Sequence, residues 1–255
     1  METTFRGDCS HLDQCDRFET QSARFIAELG QVDLEAPVPT CPGWSVAQLA
    51  KHLGSVWAWA GGLVAARAPQ RRSPSELGVV RPGPDPAELA TTAATTLAVL
   101  RAADGGAEMW AWGADQHVAF WSRRMVHETA VHRLDLAAAS GALLSLDPAL
   151  AADGIDELLA NLESAAAFSP ELANLRGDGA VDLVAPDQGR SWSVQLVPDG
   201  FRVAPTAGGG AAQLEGPAPL LCAVLNRRAP LETPGLHVDG AVALVELLYR
   251  SLAIS

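Results

Sequence analysis

Glu128 and His132 stand four residues apart in the segment Trp121-Ser122-Arg123-Arg124-Met125-Val126-His127-Glu128-Thr129-Ala130-Val131-His132-Arg133-Leu134-Asp135. On an α-helix that spacing puts the two side chains within about 40° of each other. Trp121, Met125 and Ala139 flank them, Phe120, Val131 and Leu136 lie near the edges, and Ser122, Arg123, Ala130 and Arg133 take the opposite side. A carboxylate and an imidazole are therefore centred on the face expected to be buried. An unpaired charge there is costly, so it must be paired or coordinated. A divalent metal ion satisfies both groups at once. A buried Glu–His hydrogen bond with no ion satisfies them too, and the spacing alone leaves both readings open.

A third ligand must come from another helix, and His52 is placed for it. Leu49, Val56, Trp59 and Leu63 share its face, so it is expected to point inward. A set of two histidines and one glutamate leaves the fourth tetrahedral position of a zinc ion open, as catalytic sites do. Asp135, three residues beyond His132, is a candidate for orienting an imidazole; its plain role is an ion pair with a neighbouring arginine. His127-Glu128 imitates the start of the HExxH metalloprotease helix, but that motif needs its second histidine at Val131. His127 and His132 lie roughly 140° apart around a helix and cannot share one ion, so His127 is expected to flank or support the site. The cysteines Cys9, Cys15, Cys41 and Cys222 form no CxxC pair. Cys9, His11 and Cys15 read as a helix start rather than a metal cluster, and Cys41 as a packed turn residue rather than a nucleophile.

The elements that must position these side chains are marked by strong signals. A helix runs from near Cys9 to Leu29, with Gly30 expected as a left-handed cap. Ser45-Val46-Ala47-Gln48 is a capping box that opens a helix to about Ala66. Pro69 to Pro84 carries four prolines and reads as an extended loop. Asp85-Pro86-Ala87-Glu88 opens a helix to about Ala102, with Glu88 in the box position. A long helix follows from about His117 to Ser140, ended by Gly141, and Asp147-Pro148 opens another that reaches about Phe168. Beyond Gly179 the pattern turns strand-like: Ala180 to Ala185, Ser191 to Val197 and Phe201 to Ala204, with Val197-Pro198-Asp199-Gly200-Phe201 as a hairpin. Apolar helices are expected at Pro217 to Leu225 and Ala241 to Ala253, flanking a short strand near Leu236 to Val238. The fold class is therefore α+β. An all-helical bundle over 1–168 precedes a small α/β domain over 169–255, with the boundary near Ser169-Pro170.

The chain of 255 residues carries a formal net charge of −12. Nucleic-acid binders displace counterions with a basic stripe, and no such stripe is present. Met1 to Arg6 lacks the basic start and apolar run of a signal peptide, and no segment matches a membrane-spanning helix. The chain is read as cytoplasmic, acting on small molecules rather than nucleic acid or membrane, with its oligomeric state left open.

Two blocks carry a resemblance. Pro39-Thr40-Cys41-Pro42-Gly43-Trp44-Ser45-Val46 with Leu49-Ala50-Lys51-His52-Leu53 resembles the "TPCPGWTV…LLxHL" opening of the mycothiol-dependent maleylpyruvate isomerase family, within the DinB-like helical bundle superfamily. Phe120-Trp121 through His127-Glu128-Thr129-Ala130-Val131-His132-Arg133-Leu134-Asp135 resembles the family's "HETAVHRxD" helix. The resemblance implies a DinB-like four-helix bundle, a zinc site at His52, Glu128 and His132, and a smaller C-terminal α/β domain. It also implies mycothiol, or another low-molecular-weight thiol, as cosubstrate. Leu225-Asn226-Arg227-Arg228 falls where the family often has "WGRR", which implies a substrate-handling role for Arg227, although Leu225-Asn226 replaces the Trp-Gly.

An open position on zinc favours the thiolate form of a bound thiol, the reactive nucleophile. The expected function is metal-dependent thiol S-transfer or isomerisation on a small electrophile, with a metal-activated thiolate. Two other classes stay open: a metal-dependent hydrolase that activates water, and a non-catalytic metal- or ligand-binding protein.

Overall fold

A computed structural model describes residues 9–143 and 145–252. The Met1 to Arg6 stretch read above and Ala253 lie outside the described residues. The chain divides into two compact units, Asp8–Leu144 and a second that begins at Ser145.

The first unit is built on four helices, α1 (His11–Leu29), α2 (Val46–Ala65), α3 (Pro86–Ala102) and α4 (Val118–Ser140). Helix α1 packs on α3 and α4, and α2 packs on the same two, which closes a four-helix bundle. Three of the four starts are held by a side-chain cap. Ser10 and Asp13 form a capping box at α1, and Ser45 and Gln48 form the one expected at α2. Asp85 caps α3 by accepting from Ala87 N and Glu88 N. Glu88 does not complete a box there; its carboxylate reaches back to the Gly83 amide, at 2.7 Å. Gly141 ends α4 in the left-handed conformation with φ 71°. Gly30 keeps a right-handed φ of −64°, so the left-handed cap expected after α1 does not form.

Trp57 of α2 centres the bundle core. Phe18 and Phe25 of α1 meet its ring edge-on at 5.7 and 6.1 Å. Its indole Nε1 donates to Thr129 Oγ1 of α4 at 3.0 Å, so this fully buried tryptophan also ties three helices together. Close approach of α2 to α3 depends on Gly61: a Cβ there would meet Thr96 Oγ1 at 3.0 Å, and Thr96 already donates to Trp57 O.

The second unit holds α5 (Pro148–Ala165), a four-residue helix α6 (Pro170–Ala173), five strands, and helices α7 (Ala218–Leu225) and α8 (Val242–Ser251). The strands are β1 (Gly179–Ala185), β2 (Arg190–Val197), β3 (Gly200–Ala204), β4 (Ala212–Glu215) and β5 (His237–Gly240), in the sheet order β3-β2-β1-β4-β5. Neighbours are antiparallel except β1 and β4, which pair in parallel with Leu183 opposite Leu214. The fold is thus α+β, a helical N-terminal part followed by a smaller part built on a sheet.

Two further features depart from the sequence reading. The division falls at residue 144 rather than near Ser169-Pro170, because α5 packs against α7 and lies close to β3. Its Asp156 also holds Arg190 and Trp192 of β2, so the helix belongs with the sheet. Strand β4 had no counterpart in the sequence pattern. Its Ala-Gln-Leu-Glu is a weak strand former, and pairing with β1 and β5 decides its state. Among the described residues, no helix is long and apolar enough to cross a membrane.

Candidate metal centre

Helix α4 buries polar side chains along much of its length, including His127, Thr129, His132, Arg133 and Asp135. Each must find partners inside the bundle. Arg133 finds Glu28 and Gln21 of α1. His132 and Glu128 turn toward α2, where they meet His52.

The three donor atoms converge. His52 Nε2 lies 3.4 Å from Glu128 Oε1, and His132 Nε2 lies 3.3 Å from the same oxygen. The two imidazole rings meet edge-on with centroids 5.1 Å apart. One ligand atom from each of the three residues lies within 4.8 Å of the others. These separations are long for hydrogen bonds to a carboxylate. They are close to the edge of a tetrahedron of donors around a small cation: with ligand bonds of ~2.1 Å, that edge is ~3.4 Å. The donor chemistry, two imidazoles and one carboxylate, suits zinc or a similar divalent ion.

His132 is oriented from behind. Its Nδ1 lies 2.7 Å from Asp135 Oδ2, and Thr40 Oγ1 donates to Asp135 Oδ1 at 2.5 Å. Asp135 is fully buried, so this bond is not shared with water. A proton on Nδ1 donated to Asp135 leaves the Nε2 lone pair facing the convergence point. The arginine that Asp135 could have paired with, Arg133, is turned to Glu28 instead.

The charges reinforce one another. Burial works against ionisation of Glu128, but the Arg124 guanidinium and the two imidazoles outweigh it and hold the carboxyl well below the usual carboxylate range. Burial likewise opposes charge on His132, and its hydrogen bonds to Asp135 and Glu128 overcome it, raising its pKa above the ordinary histidine value. A metal ion bound at Nε2 would compete with a proton for that lone pair.

A groove of about 640 Å³ opens beside His52. Trp44, Gln48, Lys51, Ser55, Val56 and Trp59 line it from α2 and the turn before it, and Arg71, Pro74, Arg81 and Pro82 line it from the Pro-rich loop. Trp44 packs against the His52 ring at 5.0 Å, and Trp59 Nε1 donates to Arg72 O at 2.7 Å, which anchors that loop. Among the described residues, no carboxylate forms an ion pair with Lys51, Arg71 or Arg81. An acidic chain thus lines one groove with three cations and leaves them open to solvent.

The remaining sequence candidates lie elsewhere. His127 is buried on α4 but is not among the three converging residues. His11 places Nδ1 at 2.9 Å from Ser122 Oγ and Nε2 at 2.8 Å from Leu100 O, pinning α1 to α4 and the end of α3. Cys41 is half-buried, and its sulfur forms a second convergent group with His132 and Asp135, a proximity the sequence did not suggest. Arg227 lies in the second unit just after α7, with a left-handed φ of 63°. Its guanidinium packs 4.2 Å from the centroid of Tyr249 and donates to Tyr249 O at 3.0 Å. Two partners in the site were missed from sequence. Arg124 stands four residues before Glu128, a spacing that could have flagged it. Thr40 comes from a distant loop and left no local signal.

Residues 15–137 match the family profile of the mycothiol maleylpyruvate isomerase N-terminal domain. A crystal structure of a mycothiol-dependent maleylpyruvate isomerase superposes with a TM-score of 0.60 at 13% sequence identity, covering 93% of this chain and 95% of that one. A crystal structure of a histidine-to-alanine mutant of a mycothiol-dependent maleylpyruvate isomerase superposes equally well, TM-score 0.60 at 15% identity over the same shares of the two chains. At such identities the likeness speaks to the fold. No curated protein matches the sequence.

Proposed function

We infer, from the match of residues 15–137 to the mycothiol maleylpyruvate isomerase N-terminal domain and from the geometry above, that this chain is a thiol-dependent isomerase or S-transferase acting on a small, anionic electrophile. The observation that carries this reading is the meeting of His52, Glu128 and His132, from two helices, beside an open groove. His52, Glu128 and His132 would hold a divalent ion, zinc by donor chemistry. Bound there, the ion supplies Lewis acidity that favours the thiolate of an incoming thiol over its protonated form.

The chain's own residues account for the rest. Asp135, steadied by Thr40, fixes the tautomer of His132 and so the direction of its Nε2 lone pair. Trp44 packs on the His52 ring and restricts its rotation. Lys51, Arg71 and Arg81 offer the groove three cations for carboxylates of the second substrate, in keeping with the keto-acid substrate in the name of the similar enzymes. Mycothiol is the thiol this reading favours, on the family name alone. Arg227 enters as the substrate-handling cation implied by the resemblance; in Arg227→Ala a raised KM with metal content intact would support that role.

The test is metal content and turnover in one series. Purified wild type should hold near-stoichiometric zinc, and His52→Ala and Glu128→Ala should lose it together with thiol-dependent turnover of an electrophilic 2-keto acid. Full metal in both variants would overturn the ligand assignment. Turnover without thiol would mean a hydrolase, and metal without any turnover a binding protein.

A further inference from the structure

Arg124, Glu128 and His132 form a ladder at successive i, i+4 positions along one stripe of α4. The ladder divides the Glu128 carboxylate between two duties. Its Oε2 is bonded by Arg124 Nη2, and its Oε1 is the oxygen that both imidazole Nε2 atoms approach. Arg124 is itself held from the far side. Its guanidinium lies 5.6 Å from the Trp112 ring centroid, and Trp112 packs edge-on against Phe120 at 5.3 Å.

A carboxylate free at both oxygens can turn about its last bond and donate both to one cation. A carboxylate whose Oε2 is held by a guanidinium is fixed in rotation, and swinging that oxygen onto the same cation would strain or break the charge-assisted bond. We propose that Arg124 is a positioning residue that restricts Glu128 to one-oxygen donation toward the His52–His132 pair, which keeps the other coordination directions free for reactants. This rests on the metal reading above and goes beyond it, since the ligand set by itself does not say how Glu128 binds. The plain alternative is an ordinary i, i+4 ion pair that lends the helix a few tenths of a kcal/mol. The surroundings argue against it: the Glu128 and Arg124 side chains are only 15% and 22% exposed, and the acceptor is the carboxylate the two histidines share.

Cobalt(II) titrated into metal-free protein separates the two, because its visible absorption reports coordination number whether or not the enzyme turns over. Wild type should bind one equivalent with the intense bands of low coordination number. In Arg124→Met, freed Oε2 should join Oε1, so the molar absorption of the visible bands falls severalfold and the bands shift. Arg124→Lys, which can still donate to Oε2, should restore the wild-type spectrum. If Arg124→Met keeps the wild-type spectrum, the pair is only an ion pair and the proposal fails. An altered spectrum in Arg124→Lys, which stands as the test if the Met variant does not fold, also overturns it. A wild type that takes up no cobalt would refute the metal reading itself, a different failure that this titration identifies first.

Discussion

Each unit of this protein buries a carboxylate against an arginine and aromatic rings, and the two are solved in opposite ways. In the sheet unit, Asp156 of α5 takes Arg190 Nη2 on both oxygens, at 2.8 and 2.6 Å, and Trp192 Nε1 on one of them at 2.6 Å. Every contact is a short bond to a group that can only donate, and the carboxylate is finished. In the bundle, Glu128 gives one oxygen to Arg124 and turns the other to two imidazoles at 3.3 and 3.4 Å. Those rings can donate or accept, and the spacing is too wide for strong bonds. A buried charge that is fully paired stabilises a fold. One left loosely met by groups that can act as ligands has capacity for something else. Location does not separate the two cases, since both carboxylates are largely buried; partner chemistry does.

The largest expected effect falls on the structural side of that contrast. Asp156→Ala should cost about 3 kcal/mol of stability, because it orphans the buried Trp192 Nε1 and removes the bonds of Arg190. Denaturant unfolding measures it, and folded protein should retain its metal-binding capacity. A metal-free Glu128→Gln variant should lose clearly less stability in the same assay. An equal loss would break the comparison and make Glu128 another structural carboxylate.

Next is Asp135→Asn, which leaves the three donors in place but loosens the hold on His132. Zinc affinity should fall about 10- to 100-fold by chelator competition, with near-native stability of the bundle. An unchanged affinity would mean that Asp135 does not orient the ligand.

A smaller effect concerns pH. Asp135 and Glu128 raise the pKa of His132 above its ordinary 6.5 despite burial. In metal-free protein the stability from this protonation is fully present below the unfolded value and is lost as pH rises through the folded one. A metal ion must displace the same proton, so affinity should climb with pH until the folded pKa is passed, with a midpoint above 6.5. In Asp135→Asn that midpoint should move down. A midpoint at or below 6.5 in wild type would contradict the charge arrangement described for the site.

The smallest is Ser45→Ala, which removes half of the capping box that starts the His52 helix. It should cost about 1 kcal/mol in thermal or denaturant unfolding and leave zinc stoichiometry unchanged.

What was legible in the sequence was local. Ser45 with Gln48, Asp85 with Pro86, and Gly141 act within a few residues of themselves, so the helices they bound could be drawn from them to within a residue or two. The Ser10 and Asp13 box at the start of α1 went unread, and that start was placed only near Cys9. The i, i+4 spacing of Glu128 and His132 likewise placed both on one face of α4, because helix geometry alone fixes that angle. That His52 faces the same point depended on the crossing of α2 with α4, which no spacing reports. Thr40 behind Asp135, the sulfur of Cys41 near His132, and Arg71 and Arg81 beside His52 come from loops whose paths depend on packing, such as the bond from Trp59 to Arg72 O. Strand β4 exists because β1 and β5 pair with it, and α5 joins the sheet because Asp156 meets β2. Periodicity and caps are short-range and are written in the chain itself. Which faces meet, and which charges are left unfinished when they do, is decided only once distant segments are packed together.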